Sequence, residues 1–347
     1  MSKSLPIVTY PALQLLLLRW LQEVICLRSD VFSLDCLSTP LKIEAGLLPV
    51  GEMNTPISLQ RVKGTLPVLY RSAIALQLAK PCRQPGLKLA DAIAESFSQG
   101  AIAQKVLDSS GLGINSLILR NFTVKVEPPG WLSFELATSG LAAWLQCLTQ
   151  AYVPLPEPEY DLVSLGLTLD SMPERALPNS SDFSGGQVFD LFTVQYAHAR
   201  CAALLRLAGR QSELTEDLTN TGQNSPSAIA LQPIPWLSAT GELRLTHATE
   251  QSLIFVLIDT VDELLDLVTS AAIAQSPPLG WQARVERLAS ALAQAFLSFY
   301  DACRFWGEVQ QRDPALVQAR LGLVLATQLM LQGILRDFLG LIAPAEL

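Results

Sequence analysis

Apolar residues recur at helical spacing from the start of the chain. Leu13, Leu16, Leu17, Trp20, Leu21 and Val24 fall on one stripe and predict an amphipathic helix. The same period predicts a helix from about Tyr70 to Lys80, closed by Pro81, and another from about Leu87 to Phe97. Alternation then takes over at Leu117, Leu119, Phe122, Val124 and Val126, and again at Leu132, Phe134 and Leu136. Pro128-Pro129-Gly130 lies between these runs, so a β-hairpin is expected. A helix from Ser139 to about Ala151 follows. Residues 1–152 therefore read as an α+β domain.

From residue 153 to 187 the pattern breaks. Pro154, Pro156, Pro158, Pro173 and Pro178 mix with acidic groups, Asn179-Ser180-Ser181 and Gly185-Gly186, which predicts a linker. Beyond it, helical periodicity covers roughly Val188–Ala208, Ala248–Gln275, Trp281–Phe305 and Pro314–Leu341, with a polar loop around Glu213–Ser227. Residues 188–347 are expected to form an antiparallel helical bundle packed by Leu and Ala. The fold class is mostly α: an α+β domain, a Pro-rich linker, then an all-α bundle.

Composition narrows the function classes. The chain has 347 residues, half of them hydrophobic and 16% charged. That length buries a sizeable core, and the low charge excludes a solvating, disordered chain. No run of 18 apolar residues predicts a transmembrane helix, and no cleavage site follows the first apolar run as in a secretory signal. Cys26, Cys36, Cys82, Cys147, Cys201 and Cys303 are scattered without a CxxC pair, and His198 and His247 are the only histidines. Buried reduced thiols in a cytoplasmic protein, with no metal and no cofactor, are the expectation.

A net charge of −8 argues against a general polyanion binder, but its distribution changes that picture. Residues 61–125 carry nine basic groups against three acidic ones, while residues 183–347 carry ten against sixteen. One basic stretch thus sits in an acidic chain. Catalytic motifs are missing: there is no GxxxxGK[ST] loop, GxSxG elbow or HExxH. Asp182-Phe183-Ser184-Gly185-Gly186 follows no strand and offers no lysine, so no phosphate cradle is expected. Asp259, Asp262, Glu263 and Asp266 share one helix at spacings of three and four, and a solvated face is favoured over a carboxylate metal site.

Within the helical half stands Val194-Gln195-Tyr196-Ala197-His198-Ala199-Arg200. This run resembles the VQYAHAR signature that opens the DALR anticodon-binding domain of arginyl-tRNA synthetases. Further matches follow in order: Leu245-Thr246-His247 before a long helix; Leu288-Ala289 to Phe296, Phe299-Tyr300 and Cys303; Ala319-Arg320-Leu321, Ala326-Thr327 and Leu339-Gly340-Leu341-Ile342-Ala343-Pro344. The first half is similar to the additional N-terminal domain of the same synthetases. That likeness rests on Ile57-Ser58-Leu59, Tyr70, the run Ala73 to Pro81, Leu89-Ala90-Asp91-Ala92-Ile93-Ala94 and the turn Pro129-Gly130-Trp131-Leu132.

Between these parts the family carries a catalytic domain of several hundred residues, where this chain has a linker of about 35, too short for a domain. Neither histidine lies in an HIGH-type context, and Met1-Ser2-Lys3-Ser4 spells MSKS with no nucleotide fold before it, a coincidence. Aminoacylation is therefore not expected.

The resemblance implies a module that grips tRNA at its anticodon stem-loop and at its elbow. Candidate contacts are Arg61, Lys63, Arg71, Lys80, Arg83 and Lys88, with Lys105 nearby in sequence, and Tyr196, His198 and Arg200 on the signature helix. Bland readings stay open beside each. Tyr196 falls in line with Phe189, Phe192 and Ala199 as a core stripe, His198 suits a satisfied structural role, and the cations suit a solvated surface. Where the family offers an Asn to the tRNA elbow this chain has Ala73, and the Asn of its turn is Ser133. The expected function is tRNA binding without catalysis, in tRNA handling or translation. A protein-interaction scaffold with a protein partner is the alternative, and residual arginine–tRNA ligase activity the least favoured.

Overall fold

The computed structural model describes residues 11–27, 57–64, 66–98, 113–150, 189–216, 233–274 and 279–347. The expected linker at 153–187, the greater part of the polar loop, Lys105 and Met1-Ser2-Lys3-Ser4 lie outside the described residues.

Helix α1 (Leu13–Leu27) buries Leu13, Leu16, Leu17, Trp20, Leu21, Val24 and Ile25, the stripe its spacing predicts. Strands β1 (Leu59–Val62) and β2 (Val68–Ser72) follow, then helices α2 (Ile74–Ala79), α3 (Gly86–Ser98) and α4 (Gly113–Arg120). The hairpin strands β3 (Phe122–Glu127) and β4 (Trp131–Leu136) and helix α5 (Thr138–Gln150) complete this half. The sheet is antiparallel in the order β1-β2-β4-β3. Its inner face packs on the helices, with Trp20 of α1 against Phe97 of α3 and Phe97 against Phe134 of β4.

Two boundaries of the first half differ from expectation, and in the second half the first helix, Leu191–Glu216, runs past the expected end at Ala208 into the expected polar loop. Tyr70 belongs to a strand, not a helix. Val68, Tyr70 and Ser72 alternate inward while Arg71 is exposed. Tyr70, Ile74 and Leu78 happen to be spaced by four, so the strand's inward residue extends the helical stripe that follows. Ser72 makes the switch: its hydroxyl donates to the Ser58 carbonyl (2.7 Å) and accepts from the Ile74 N–H (3.2 Å). Leu117 and Leu119 lie in α4 rather than in the strand. Asn121 ends that helix by donating from Nδ2 to the Leu117 carbonyl (2.6 Å), and pairing begins at Phe122. The hairpin itself forms as expected. Gly130 at φ +146 turns the chain, and a Cβ there would lie 2.7 Å from the Gly86 carbonyl carbon, so the turn rests on the start of α3.

The second half is helical: α6 (Leu191–Glu216), α7 (Ala248–Ala274), α8 (Trp281–Ala302), the short α9 (Glu308–Arg312) and α10 (Pro314–Gly333), which continues as a π-helical turn, Ile334–Phe338. Asp190 caps α6 by accepting the Thr193 N–H (3.2 Å), and Asp313 caps α10 by accepting the Leu316 N–H (2.9 Å). Pro314 to Phe338 is long and apolar enough to cross a membrane by length and composition. Its most apolar window is 61% buried, against α6, α5 and α8, so it serves as the core helix of the bundle.

The two halves share one core. The Gln146 side-chain oxygen on α5 accepts from the Ile234 N–H (3.0 Å) and the Trp236 indole (3.1 Å), and the Thr138 hydroxyl donates to the Gly241 carbonyl (2.9 Å). Gly322 of α10 makes this approach possible: a Cβ would sit 2.7 Å from Trp236 and 2.8 Å from Ile234.

Candidate nucleic-acid interface

The signature helix α6 presents its side chains on two contrasting faces. Phe192 and Tyr196, one turn apart, are 65% and 40% exposed, and their rings stack with centroids 6.2 Å apart and 15° between planes. Tyr196 is therefore not part of a core stripe with Phe192; the core takes Val194, Ala197 and Cys201 instead. An exposed, pre-stacked aromatic pair is a surface on which bases can continue the stack.

His198 lies on another face and is buried. Its Nδ1 meets the Pro344 carbonyl (2.7 Å), which makes Nδ1–H the donor, and burial lowers its pKa, so the ring is neutral. The chain's last residues run along this side of α6, where Gln195 donates to the Ile342 carbonyl (3.0 Å) and Arg206 to the Ala345 carbonyl (3.2 Å). His198 thus ties down the C-terminal segment and does not face a ligand. Arg200 is half-buried, with its guanidinium 4.6 Å over the Tyr300 ring and a hydrogen bond to the Tyr300 hydroxyl. It joins α6 to α8.

The basic candidates of the first half divide into free and engaged. Lys63 in the β1–β2 turn, Lys80 and Arg83 in the α2–α3 loop, and Lys88 on α3 are exposed and have no ion-pair partner among the described residues. The loop is tightly wound: Cys82 and Gln84 donate backbone N–H groups to the Leu78 and Ala79 carbonyls, and Arg83 is held at φ +51. Arg71 pairs with Glu127 and stacks on Trp131, its Cζ 5.8 Å from the ring centroid. The Ser133 hydroxyl donates to Glu127 (2.7 Å), and this bond, with Arg71 beside it, holds the Glu127 carboxyl below its ordinary range. Arg61 is not available to a phosphate. Its side chain is 6% exposed and pairs with Asp259 (2.5 Å).

The helix α7 carboxylates are paired as well as partly solvated, with Asp266 the most exposed. Asp259 receives Arg61, Asp262 receives the Tyr70 hydroxyl (2.6 Å), and Glu263 and Asp266 pair with Arg284 (3.2 and 3.4 Å). Among the described residues no group of three or more His, Cys, Asp or Glu could hold a metal ion.

Two exposed aromatics were not singled out as contacts by sequence reasoning. Phe192 falls on a stripe that the sequence leaves open to a core reading, although its place two residues after the Asp190 cap puts it at a helix entrance. Trp131, 38% exposed, was read only as part of a turn, and the signal for it was an aromatic directly after the hairpin glycine. Of these groups, the α6 aromatics, the cations Lys63, Lys80, Arg83 and Lys88 and the Trp131–Arg71 stack are those exposed to meet a polyanion.

Comparison with known proteins adds the family of the helical half. Residues 194–347 match the DALR anticodon binding domain. An arginine–tRNA ligase of Synechococcus sp. is 34% identical over 170 residues, 48% of this chain and 24% of the relative. Those of Ruminiclostridium cellulolyticum and Moorella thermoacetica are 33% and 32% identical over 157 residues, each 45% of this chain and 22% of the relative. The chain spans about a quarter of the length of these curated relatives, and they match over the helical region alone. No solved structure matches.

Proposed function

We propose, from the premise that residues 194–347 carry a DALR anticodon-binding domain, that this chain binds tRNA without charging it. The observation that carries the reading is the exposed Phe192–Tyr196 stack on the helix that opens the domain. Unpaired loop bases are recognised chiefly by stacking, because every base has a π-face while few side-chain contacts are needed to hold it. Lys63, Lys80, Arg83 and Lys88 supply the second ingredient, positive charge free to neutralise phosphates. The Trp131–Arg71 stack on the hairpin offers a further planar contact. If the N-terminal half acts as the synthetases' additional domain does, these groups would meet the elbow of the tRNA while α6 meets its anticodon loop.

Absence of catalysis is part of the proposal. The curated relatives are arginine–tRNA ligases, and this chain matches them only over the helical domain. Residues 151–188 separate α5 from α6, too few for a nucleotide-binding domain. The site of action proposed is the cytoplasm, in tRNA handling or translation. The test is retention of bulk tRNA by the purified chain across a salt series. Binding at low salt that weakens as salt rises supports the reading; no complex at low salt refutes it, and arginine-dependent ATP–pyrophosphate exchange would refute the non-catalytic part.

One observation favours a second reading, a protein-interaction scaffold. Arg61, Arg71 and Arg200 are engaged within the fold, and residues 183–347 carry sixteen acidic groups against ten basic. A protein partner that stays bound at salt high enough to strip tRNA would support it.

A further inference from the structure

The carboxylates on α7 serve a purpose that the RNA surface leaves unexplained. Phe255, Asp259 and Asp262 lie on successive turns of that helix, and three separate segments of the first half converge on them. From β1, Arg61 donates from Nε (2.8 Å) and Nη2 (2.5 Å) to Asp259 Oδ1, with its guanidinium 5.7 Å over the Phe255 ring. From β2, the Tyr70 hydroxyl donates to Asp262 Oδ2 (2.6 Å). From α1, the Gln14 backbone N–H donates to Asp262 Oδ1 (3.1 Å), while its side chain donates to the Leu59 carbonyl on β1 (3.1 Å). Tyr70 is fully buried and the Arg61 side chain nearly so, while the Asp259 side chain is 36% exposed, so the desolvated charge of the pair is the guanidinium.

Buried charged contacts of this kind add little net attraction compared with apolar packing. They do make every other arrangement costly, because a shifted partner leaves a desolvated charge unpaired. They therefore fix register. Lys63 is two residues from Arg61, in the turn that leaves β1, so the first free cation is a close chain neighbour of the lock.

We propose that Asp259 and Asp262 are positioning residues that lock the N-terminal half onto α7, so that the free cations Lys63, Lys80, Arg83 and Lys88 and the Phe192–Tyr196 stack act on one RNA as a single site. The proposal rests on the tRNA-binding reading. Two surfaces held in fixed register present the second contact at high effective concentration, and surfaces that swing independently lose roughly 10- to 100-fold of that gain.

The decisive variant is Asp259→Arg in the full chain. It adds positive charge, which by bulk electrostatics strengthens binding to a polyanion; loss of the lock has the opposite effect. The expected result is bulk-tRNA binding weaker by about 10-fold or more at fixed salt, with a larger radius of gyration by X-ray scattering without RNA. Arg61→Glu combined with Asp259→Arg is expected to restore both. Tyr70→Phe, which keeps the buried ring, shifts both readouts less in the same direction, and circular dichroism shows each variant still helical. Equal or tighter tRNA binding by Asp259→Arg, an unchanged radius of gyration, or no rescue by the swap overturns the proposal. If the unaltered chain binds no tRNA, the tRNA reading fails and the single-site role with it, whereas an open Asp259→Arg that still folds sustains the lock on scattering alone.

Discussion

Replacing Glu250 with Ala tests how the helical half is held together. Glu250 is 1% exposed and sits in the first turn of α7. Its Oε2 accepts the His247 N–H (2.9 Å), closing the helix start, and its Oε1 accepts from Arg320 Nε of α10 (2.6 Å) and lies 3.7 Å from the Cys303 sulfur at the end of α8. Arg320, 9% exposed, also donates to the Arg304 carbonyl (2.5 Å). One carboxylate therefore joins the start of α7, the end of α8 and the second turn of α10. Glu250→Ala strands the buried guanidinium, at about 3 to 5 kcal/mol, and removes one cap at about 1 kcal/mol. Against a total stability of about 5 to 15 kcal/mol, that is a large fraction. The assay is guanidinium denaturation followed by circular dichroism, with Arg320→Met and the double Glu250→Met/Arg320→Met variant alongside. The double variant is expected to be better tolerated than the sum of its singles by about 2 kcal/mol, since it leaves neither charge orphaned. A Glu250→Ala loss below about 1 kcal/mol, or strictly additive singles, would refute the reasoning.

Phe192→Ala with Tyr196→Ala is expected to change thermal stability little, within about 0.5 kcal/mol for each exposed position, yet to weaken tRNA binding by about 1 to 3 kcal/mol for each base that stacks. Equal tRNA affinity in a stable double variant contradicts the stacking role. Gly322→Val forces a side chain into Trp236 and Ile234 and is expected to cost about 1 to 3 kcal/mol; Gly209→Ala, with nothing within 4 Å, is expected to gain up to about 1 kcal/mol, both read from denaturation midpoints. Burial raises the Asp262 carboxyl from 3.8 to about 6, against the opposing pull of the Tyr70 hydroxyl, the Gln14 N–H and Arg61 and with Asp259 beside it. The folded chain thus holds that proton more tightly than the unfolded one. The resulting stability is complete below the ordinary value and lost as pH rises through about 6, so the unaltered chain should gain on Asp262→Asn between pH 7 and 4. A falling difference over that range would refute the assignment.

The helical half was largely legible because each long helix carries its own apolar period, as in α7, α8 and α10. In the first half the stripe of α1 is equally local, and the structure follows it. Tyr70 was misplaced because a strand's inward residue stood four positions before Ile74, and only the pairing of β2 with β1 and β4 distinguishes the two periods. For the candidate site, residue type was legible and availability was not. Arg61 and Lys63 look alike in sequence; one is sealed against Asp259 and the other is exposed, and the partner lies 198 positions away. The same distance hid the purpose of Asp259 and Asp262. Phe192 is in line with Phe189, Tyr196 and Ala199, which suits a core stripe, and only the bundle decides which face turns outward.

The central claim is that four free cations and one aromatic stack hold a tRNA. It is tested most directly by the slope of log affinity against log salt for bulk tRNA, measured for the unaltered chain and for a variant with Lys63, Lys80, Arg83 and Lys88 all changed to Gln. The account predicts a steep negative slope that becomes shallower by about 3 in the variant, about 0.7 to 0.9 for each of the four cations removed. A slope that the four substitutions leave unchanged would contradict it.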